Sequence, residues 1–302
     1  MRKFQDGNTP VQAGLICALG AFLLWGFLPL YFKILENLPA LHVLAERIVW
    51  SLPAGIALVW FGHRSSEFRA VFRAPKQLAW LCLSAGLMGL NWLIFIWAAQ
   101  NGHVLEASLG AFITPLFSFS LAAVFFKERF SFLQFIAIFF TTLGVLNQAI
   151  FVGKLPWIAL SLCLLFGSYG AIRKKLVVDG RVGFLLEVLV LFPFAMAFLI
   201  YSWIHGAPLI ADTVRDSALI SLSGVVTAGP LILFTMAATR LRLSSLAVMQ
   251  YIAPSIQFLV GLLLGEHFSI SYAATFIFIW IGVALYAGAA LRQNRQVKKN
   301  PH

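Results

Sequence analysis

The sequence predicts an all-α membrane protein: ten transmembrane helices in two inverted five-helix repeats. Three observations carry this expectation. Of 302 residues, 61% are hydrophobic and 11% charged, against about 45–50% and about 25% in a soluble domain. Ten apolar runs reach the length of about 20 residues that a helix needs to cross the hydrocarbon. A repeat then divides those runs five and five.

The runs lie near 12–34, 41–61, 77–99, 105–126, 131–151, 155–173, 184–204, 217–238, 243–265 and 269–290. Span 1 follows Arg2 and Lys3 but exceeds a signal-peptide core of about 7–15 residues and has no A-x-A site. Span 2 carries Glu46 and Arg47 inside one end. Span 3 carries Asn91, Trp92 and Trp97 at and beyond its middle, and span 4 opens on Glu106 and contains Pro115. Span 6 carries Ser168 and Tyr169, and span 7 carries Glu187 one turn in. Span 9 places Gln250, Pro254 and Gln257 at i, i+4 and i+7, one face of a helix, with Tyr251 beside them. Trp60, Trp80 and Trp157 fall at run ends, where interfacial aromatic belts form. The connections are short, the longest being His63–Lys76 and His205–Asp216, and none is large enough to fold as a domain.

Net charge is +11, yet the cations are loop clusters of the kind the positive-inside rule produces, not a nucleic-acid surface. With the N-terminus inside, eighteen of the 22 Lys and Arg face the cytoplasm, leaving Lys33, Arg47, Lys154 and Arg215 outside. Miscounting one helix would erase that asymmetry, so both termini are expected in the cytoplasm. Cys17, Cys82 and Cys163 lie in separate apolar runs, a usage that suits packing better than a disulfide framework or a metal site.

Leu83-Ser84 answers Leu222-Ser223, Phe95 answers Phe234, and Phe112-Ile113-x-Pro115 answers Tyr251-Ile252-x-Pro254, all at an offset of 139. After a one-residue slip, Glu128-Arg129-Phe130-Ser131 answers Glu266-His267-Phe268-Ser269, and Gly144-Val145 answers Gly282-Val283. Spans 3, 4 and 5 thereby map onto 8, 9 and 10. Five helices per half is an odd number, so the halves insert with opposite orientation, the plan of secondary transporters with a site near mid-membrane. The expected units are 1–151, 152–290 and a basic tail, 291–302.

No nucleotide-binding loop, zinc-protease helix or nucleophile elbow occurs, so neither ATP-driven pumping by this chain nor hydrolysis has a motif behind it. No cofactor and no metal is expected. Ionisable groups inside spans are costly and usually functional. Glu46, Arg47 and Glu106 read as gate or charge residues, with an ion-pair network or snorkelling ends as the alternative, and Lys33 reads as a snorkelling end. Glu187 is expected to pair with the Arg173–Lys175 cluster. Trp25, Asn91, Trp92, Tyr169, Gln250, Tyr251 and Gln257 form the expected cavity, whose aromatic walls and few charges suit an amphipathic solute. Pro115 and Pro254 each remove a backbone donor and read as hinges or static kinks.

At these residues the chain closely resembles the RarD family, in the EamA branch of the drug/metabolite transporter superfamily. The matching motifs are Leu24-Trp25-Gly26 with Pro29-x-Tyr31-Phe32-Lys33, Arg47-x-x-Trp50-Ser51, and Asn91-Trp92-x-x-Phe95-Ile96-Trp97-Ala98. Leu105-Glu106-Ala107-Ser108-Leu109-Gly110, Tyr169-Gly170-x-x-Arg173-Lys174, Ala238-Thr239-Arg240-Leu241-x-Leu243-Ser244 and Gln250-Tyr251-Ile252-x-Pro254 complete them. The chain departs at Glu46, where similar sequences tend to carry His. The resemblance implies ten helices in inverted repeats, a bacterial inner-membrane location and a permease-like role often labelled "chloramphenicol-sensitive protein".

The expected function is secondary transport, as an exporter, of a small amphipathic metabolite such as an amino acid, or of a drug, by alternating access. Expected partners are the solute, the bilayer and, for a coupled carrier, protons; both monomer and dimer are compatible. The alternative is a membrane-embedded accessory or sensor protein without flux of its own.

Overall fold

The structure, a computed structural model, describes residues 10–126, 132–151, 155–176, 178–208, 210–238, 240–241, 246 and 249–299. Every regular element among them is helical. The helices are α1 Pro10–Ile34, α2 Ala40–Phe61, α3 Ser65–Val71, α4 Pro75–Gln100, α5 Val104–Phe126, α6 Phe132–Phe151, α7 Trp157–Lys175, α8 Gly180–Ile204, α9 Val214–Ser221, α10 Ser223–Ala238, α11 Ile252–Leu263 and α12 Ile270–Lys299. Seven stretches among the described residues are long and apolar enough to cross a membrane, with α9 and α10 counted as one, and three shorter apolar helices fall on the remaining expected runs.

The ends follow from local chemistry. Pro75 opens α4 at a position where its missing N–H costs nothing. Asp179 caps α8 by accepting from Arg181 N at 2.9 Å, and Thr213 caps α9 by accepting from Asp216 N at 3.0 Å. Past the ends of α4, α8 and α11, Gly102, Gly206 and Gly265 hold φ of 73°, 90° and 78°, a region that carries little penalty only without a Cβ.

Four details differ from the expected runs. The His63–Lys76 connection contains α3. The expected eighth run is split at Leu222 into α9 and α10. The ninth is interrupted: Leu246 and Met249 are helical, Gln250 and Tyr251 form a turn, and α11 starts at Ile252. Pro254 has no N–H to return to the Gln250 carbonyl, which accounts for a break at that point. The same residue type at Pro115 leaves α5 continuous. The tenth run continues helically into the basic tail as far as Lys299. Glu128 through Ser131, Lys154, Thr239, Leu243 and Ser244, used in the sequence reading, lie outside the described residues.

Packing pairs equivalent helices. The first-half helix α1 packs on α10 and α11, and its second-half counterpart α7 packs on α4 and α5. The equivalent pairs α2 with α8, α5 with α11, and α6 with α12 pack on each other. A Cβ on Gly144 would meet Ile279 and the Thr275 carbonyl, and a Cβ on Gly282 would meet Thr141 and the Ala137 carbonyl. Position 137 corresponds to 275 and 141 to 279 at the repeat offset, so this contact is its own mirror, as at a two-fold axis. Residue numbers rise on one helix as they fall on the other, so α6 and α12 are antiparallel. Gly55 against Leu185 with Gly62 against Arg181 gives the same sense for α2 and α8. Leu105 against Gly261 and Phe112 against Tyr251 give it for α5 and α11. Helices equivalent by sequence thus run oppositely, and the halves are inverted.

The outward faces remain apolar. Phe61, Phe194, Ile204 and Leu263 are among many large hydrophobics left exposed, a surface that only lipid or a partner protein would cover. The main core gathers Phe32, Leu35, Val43, Ile96, Val188 and Ile220 from both halves.

Candidate functional site

Two polar clusters lie buried between the halves, and each draws on both of them. Around Arg47 on α2, the guanidinium sits 4.4 Å from the Trp92 ring centroid and 5.4 Å from that of Phe32. Its Nε donates to Thr227 Oγ1 on α10 at 2.8 Å. The residue is 5% exposed, and one terminal nitrogen, Nη1, is buried without a hydrogen-bond partner. Tyr31 on α1 lies beside Arg47 and Ser223 and donates to Leu219 O at 2.9 Å. Glu46, though adjacent in sequence, turns away and accepts from Trp50 Nε1 at 3.0 Å. One residue of helix is about 100° of rotation, so neighbours cannot share a face. Among the described residues neither Arg47 nor Lys33 forms an ion pair with Glu46 or Glu106; Lys33 pairs with Glu36 and donates to Gln100 O at 3.2 Å.

The second cluster centres on Glu187 of α8. Ser84 Oγ of α4 donates to its Oε1 at 2.7 Å, and Tyr169 Oη of α7 donates to its Oε2 at 3.3 Å. Arg173 Nη1 stands 3.8 Å from Oε1, the ion pair the sequence led one to expect. Glu187 is therefore well supplied with donors.

Around the α11 break, Gln257 Nε2 donates to the Trp25 carbonyl at 3.1 Å, while Gln257 Oε1 is buried and unpartnered. Trp25 packs against Phe22 and Phe234. Tyr251 stacks on Phe112 with centroids 6.3 Å apart, and its buried hydroxyl finds no hydrogen-bond partner among the described residues. Gln250 is half-buried in the turn ahead of α11. Asn91 joins α4 to α7 by donating to Leu162 O at 3.2 Å. Broken helices with free backbone and side-chain polar groups are the usual raw material of a mid-membrane solute site. Trp92 sits with the Arg47 cluster, Tyr169 with the Glu187 cluster, and Trp25, Tyr251 and Gln257 around the break.

Glu106 lies elsewhere. Its carboxylate accepts from Ile158 N at 2.9 Å, at the open N-terminus of α7. Sequence reasoning gave no role to its companion: Glu266, met there only as part of the repeat, accepts from Val104 N and Leu105 N at the start of α5. A helix N-terminus leaves backbone donors free and favours negative charge. Burial raises the Glu266 carboxyl above the usual carboxylate range, opposed by these two backbone donors. The recurrence of Glu in the repeated E-x-F-S signature was the available hint.

At the opposite end of the bundle from Glu106, Arg64, Glu67, Asp179 and Arg181 form a network. Arg181 Nε donates to Asp179 Oδ1 at 3.0 Å, and Glu67 Oε1 accepts from Asp179 N at 2.7 Å. The Arg181 hydrogen bond holds the Asp179 carboxyl below its ordinary value, against a smaller opposing effect of burial.

Antiparallel halves, an apolar exterior, a broken helix and buried polar clusters between the halves define a polytopic membrane transporter of the drug/metabolite type. Relatives carry the assignment further. Residues 12–147 match the EamA-like transporter family. Protein RarD of Salmonella typhi is 40% identical over 288 residues, covering 94% of this chain and 98% of that protein. The uncharacterized transporter YojE of Bacillus subtilis is 37% identical over 298 residues, covering 97% and 99%. A crystal structure of another protein matches with a TM-score of 0.57 at 18% identity, covering 93% of this chain and 99% of that one, a likeness of fold alone. The chain belongs to the RarD family of EamA-type permeases. It is a multi-pass inner-membrane protein surrounded by lipid, with a small-molecule solute as its ligand.

Proposed function

We propose that the protein is a secondary transporter, working as an exporter, for a small amphipathic metabolite such as an amino acid, or for a drug. It crosses the membrane ten times with both termini in the cytoplasm. Residues 1–151 and 152–290 are the two moving halves, and 291–302 form a basic tail. The observation that carries the reading is the antiparallel packing of repeat-equivalent helices, since an inverted pair has two mirror-related arrangements of similar energy. Solute occupies the space bordered by Trp25, Trp92, Tyr251 and Gln257, with the turn at Gln250 and Pro254 as one hinge and Pro115 as its counterpart. Glu46, Glu106 and Glu187 are each engaged by protein donors, which favours a carrier without a dedicated proton-cycling carboxylate. The solute's own gradient drives the flux.

Proteoliposomes holding the purified chain test this with radiolabelled amino acids and chloramphenicol. The expected result is saturable uptake that survives collapse of the pH gradient, keeps its rate in Glu46→Gln and falls in Gln257→Ala. Uptake abolished by collapsing the gradient would make the protein a proton-coupled carrier. Binding without flux across the whole panel would favour an accessory or sensor protein instead.

A further inference from the structure

We infer that the Arg47 cluster is the anchor for a carboxylate on the solute, which makes the transported class amphipathic organic acids or amino acids bound through their carboxyl group. This rests on the transporter reading and names the chemistry its site selects.

The two buried clusters share two repeat-related residues. Ser84 corresponds to Ser223 at an offset of 139, and Tyr31 to Tyr169 at 138. In the second-half cluster, Tyr, Ser and Arg converge on a carboxylate that the protein supplies, Glu187. In the first-half cluster Tyr31 and Ser223 meet Arg47 instead. At the repeat offset Arg47 falls beside the place of Glu187 on α8, not at that of Arg173, whose counterpart is Leu35. Among the described residues no acidic side chain forms an ion pair with Arg47. Ser51, one turn beyond Arg47 on the same face of α2, is fully buried, and its hydroxyl has no partner either. A buried guanidinium with a free N–H beside a free hydroxyl is costly unless something accepts from it. Among the described residues nothing accepts from Nη1; a ligand carboxylate would take that hydrogen bond.

Shape adds to charge. The guanidinium is flanked by the Trp92 and Phe32 rings, which offer an apolar body the stacking surface it needs while its acid group meets the cation. Arg47 is also close to the middle of its helix. It lies three to four residues from the centre of the 22-residue α2, roughly 5 Å along the axis. That is the depth at which a solute must be held to be offered to either side. Glu187 lies beyond the centre of the bundle from it, so the two clusters bracket the middle.

The test uses phenylacetate and phenylacetamide, which share shape and differ in charge. Binding to the purified full chain is read from tryptophan fluorescence and from the shift in unfolding temperature. In the wild type the acid binds at least about tenfold more tightly than the amide, the loss expected when one charge-assisted hydrogen bond is removed. Arg47→Gln brings the two within about twofold. Arg47→Lys keeps a reduced preference, because an ammonium offers charge without the planar fork. Thr227→Val, which releases Nε, narrows the preference while leaving the charge in place. Should Arg47→Gln fail to fold, the reduced preference in Arg47→Lys and Thr227→Val carries the assignment to Arg47. Equal binding of acid and amide, binding of neither, or a preference that persists in Arg47→Gln overturns the inference. So does equal stabilisation by sodium chloride or inorganic phosphate, which would mean a site for any small anion. Uptake of labelled amino acids with no acid preference would leave the transporter standing and remove the anchor. Selective acid binding with no uptake would do the reverse.

Discussion

Gly224 offers the sharpest test of how the halves meet at the Arg47 cluster. On α10 it passes so close to α2 that an added Cβ would lie 1.9 Å from the Trp50 carbonyl oxygen. Real Cβ contacts essentially stop at 3.0 Å, so Gly224→Ala forces the helices apart by about 1.1 Å at that point. Both partners are backbone inside regular helices and cannot rotate away. Overpacking of this kind costs about 1–3 kcal/mol. Thr227 sits one turn along α10, and a shift of that size stretches its 2.8 Å bond from Arg47 beyond hydrogen-bond range, adding about 1 kcal/mol or more. Gly224→Ala should therefore lose about 2–4 kcal/mol in reversible unfolding of the purified protein in detergent. Val225→Ala, at a lipid-facing neighbour that is 65% exposed, should change stability by under about 0.5 kcal/mol. A Gly224→Ala protein as stable as Val225→Ala would refute the close crossing of α2 and α10, and with it the geometry given to Arg47.

Three further outcomes follow from the remaining contacts. Glu187→Ala should destabilise by about 3–5 kcal/mol in the same unfolding assay, because it strands Arg173 in a buried site, while Ser84→Ala should cost about 1 kcal/mol; equal effects would mean that Arg173 is solvated. Glu106→Ala and Glu266→Ala should each lose about 1 kcal/mol by uncapping α7 and α5, with the Gln variants recovering part of it, and silence in both would remove the capping roles. Asp179 has a folded-state pKa below its unfolded value, so its contribution is present above pH of about 4 and fades as pH falls further. Asp179→Asn should flatten that acid limb of the stability–pH curve, and an unchanged limb would exclude Asp179 as its source.

Much of the helical layout was legible because spanning runs are long and backbone hydrogen bonding in lipid leaves few alternatives to a helix. The repeat was equally legible: Gly144 and Gly282, matched first by sequence, turn out to fill reciprocal positions in the α6–α12 contact. The finer wiring was not. Glu46 and Arg47 are neighbours in sequence, and only the helical rotation between them sends one to Trp50 and the other to Trp92 and Thr227. Glu106 looked like a membrane charge because its partner, Ile158 N, is 52 residues away and backbone donors leave no mark in a sequence. The break at Gln250 and Tyr251 was within reach, since Pro254 marks the carbonyl that would lose its donor. That Pro115 leaves its own helix intact could not be read from the residue alone, because neighbouring packing decides whether a proline interrupts or merely bends a helix.

Alternating exposure of the polar centre is the point on which everything else depends, and Ser51 reports on it directly. Ser51→Cys in a background lacking Cys17, Cys82 and Cys163 would be treated with a membrane-impermeant maleimide in right-side-out and in inverted vesicles. The account predicts labelling from both sides, with each side shielded when the protein is crosslinked open to the other. Labelling from one side only, whatever the state of the protein, would contradict it.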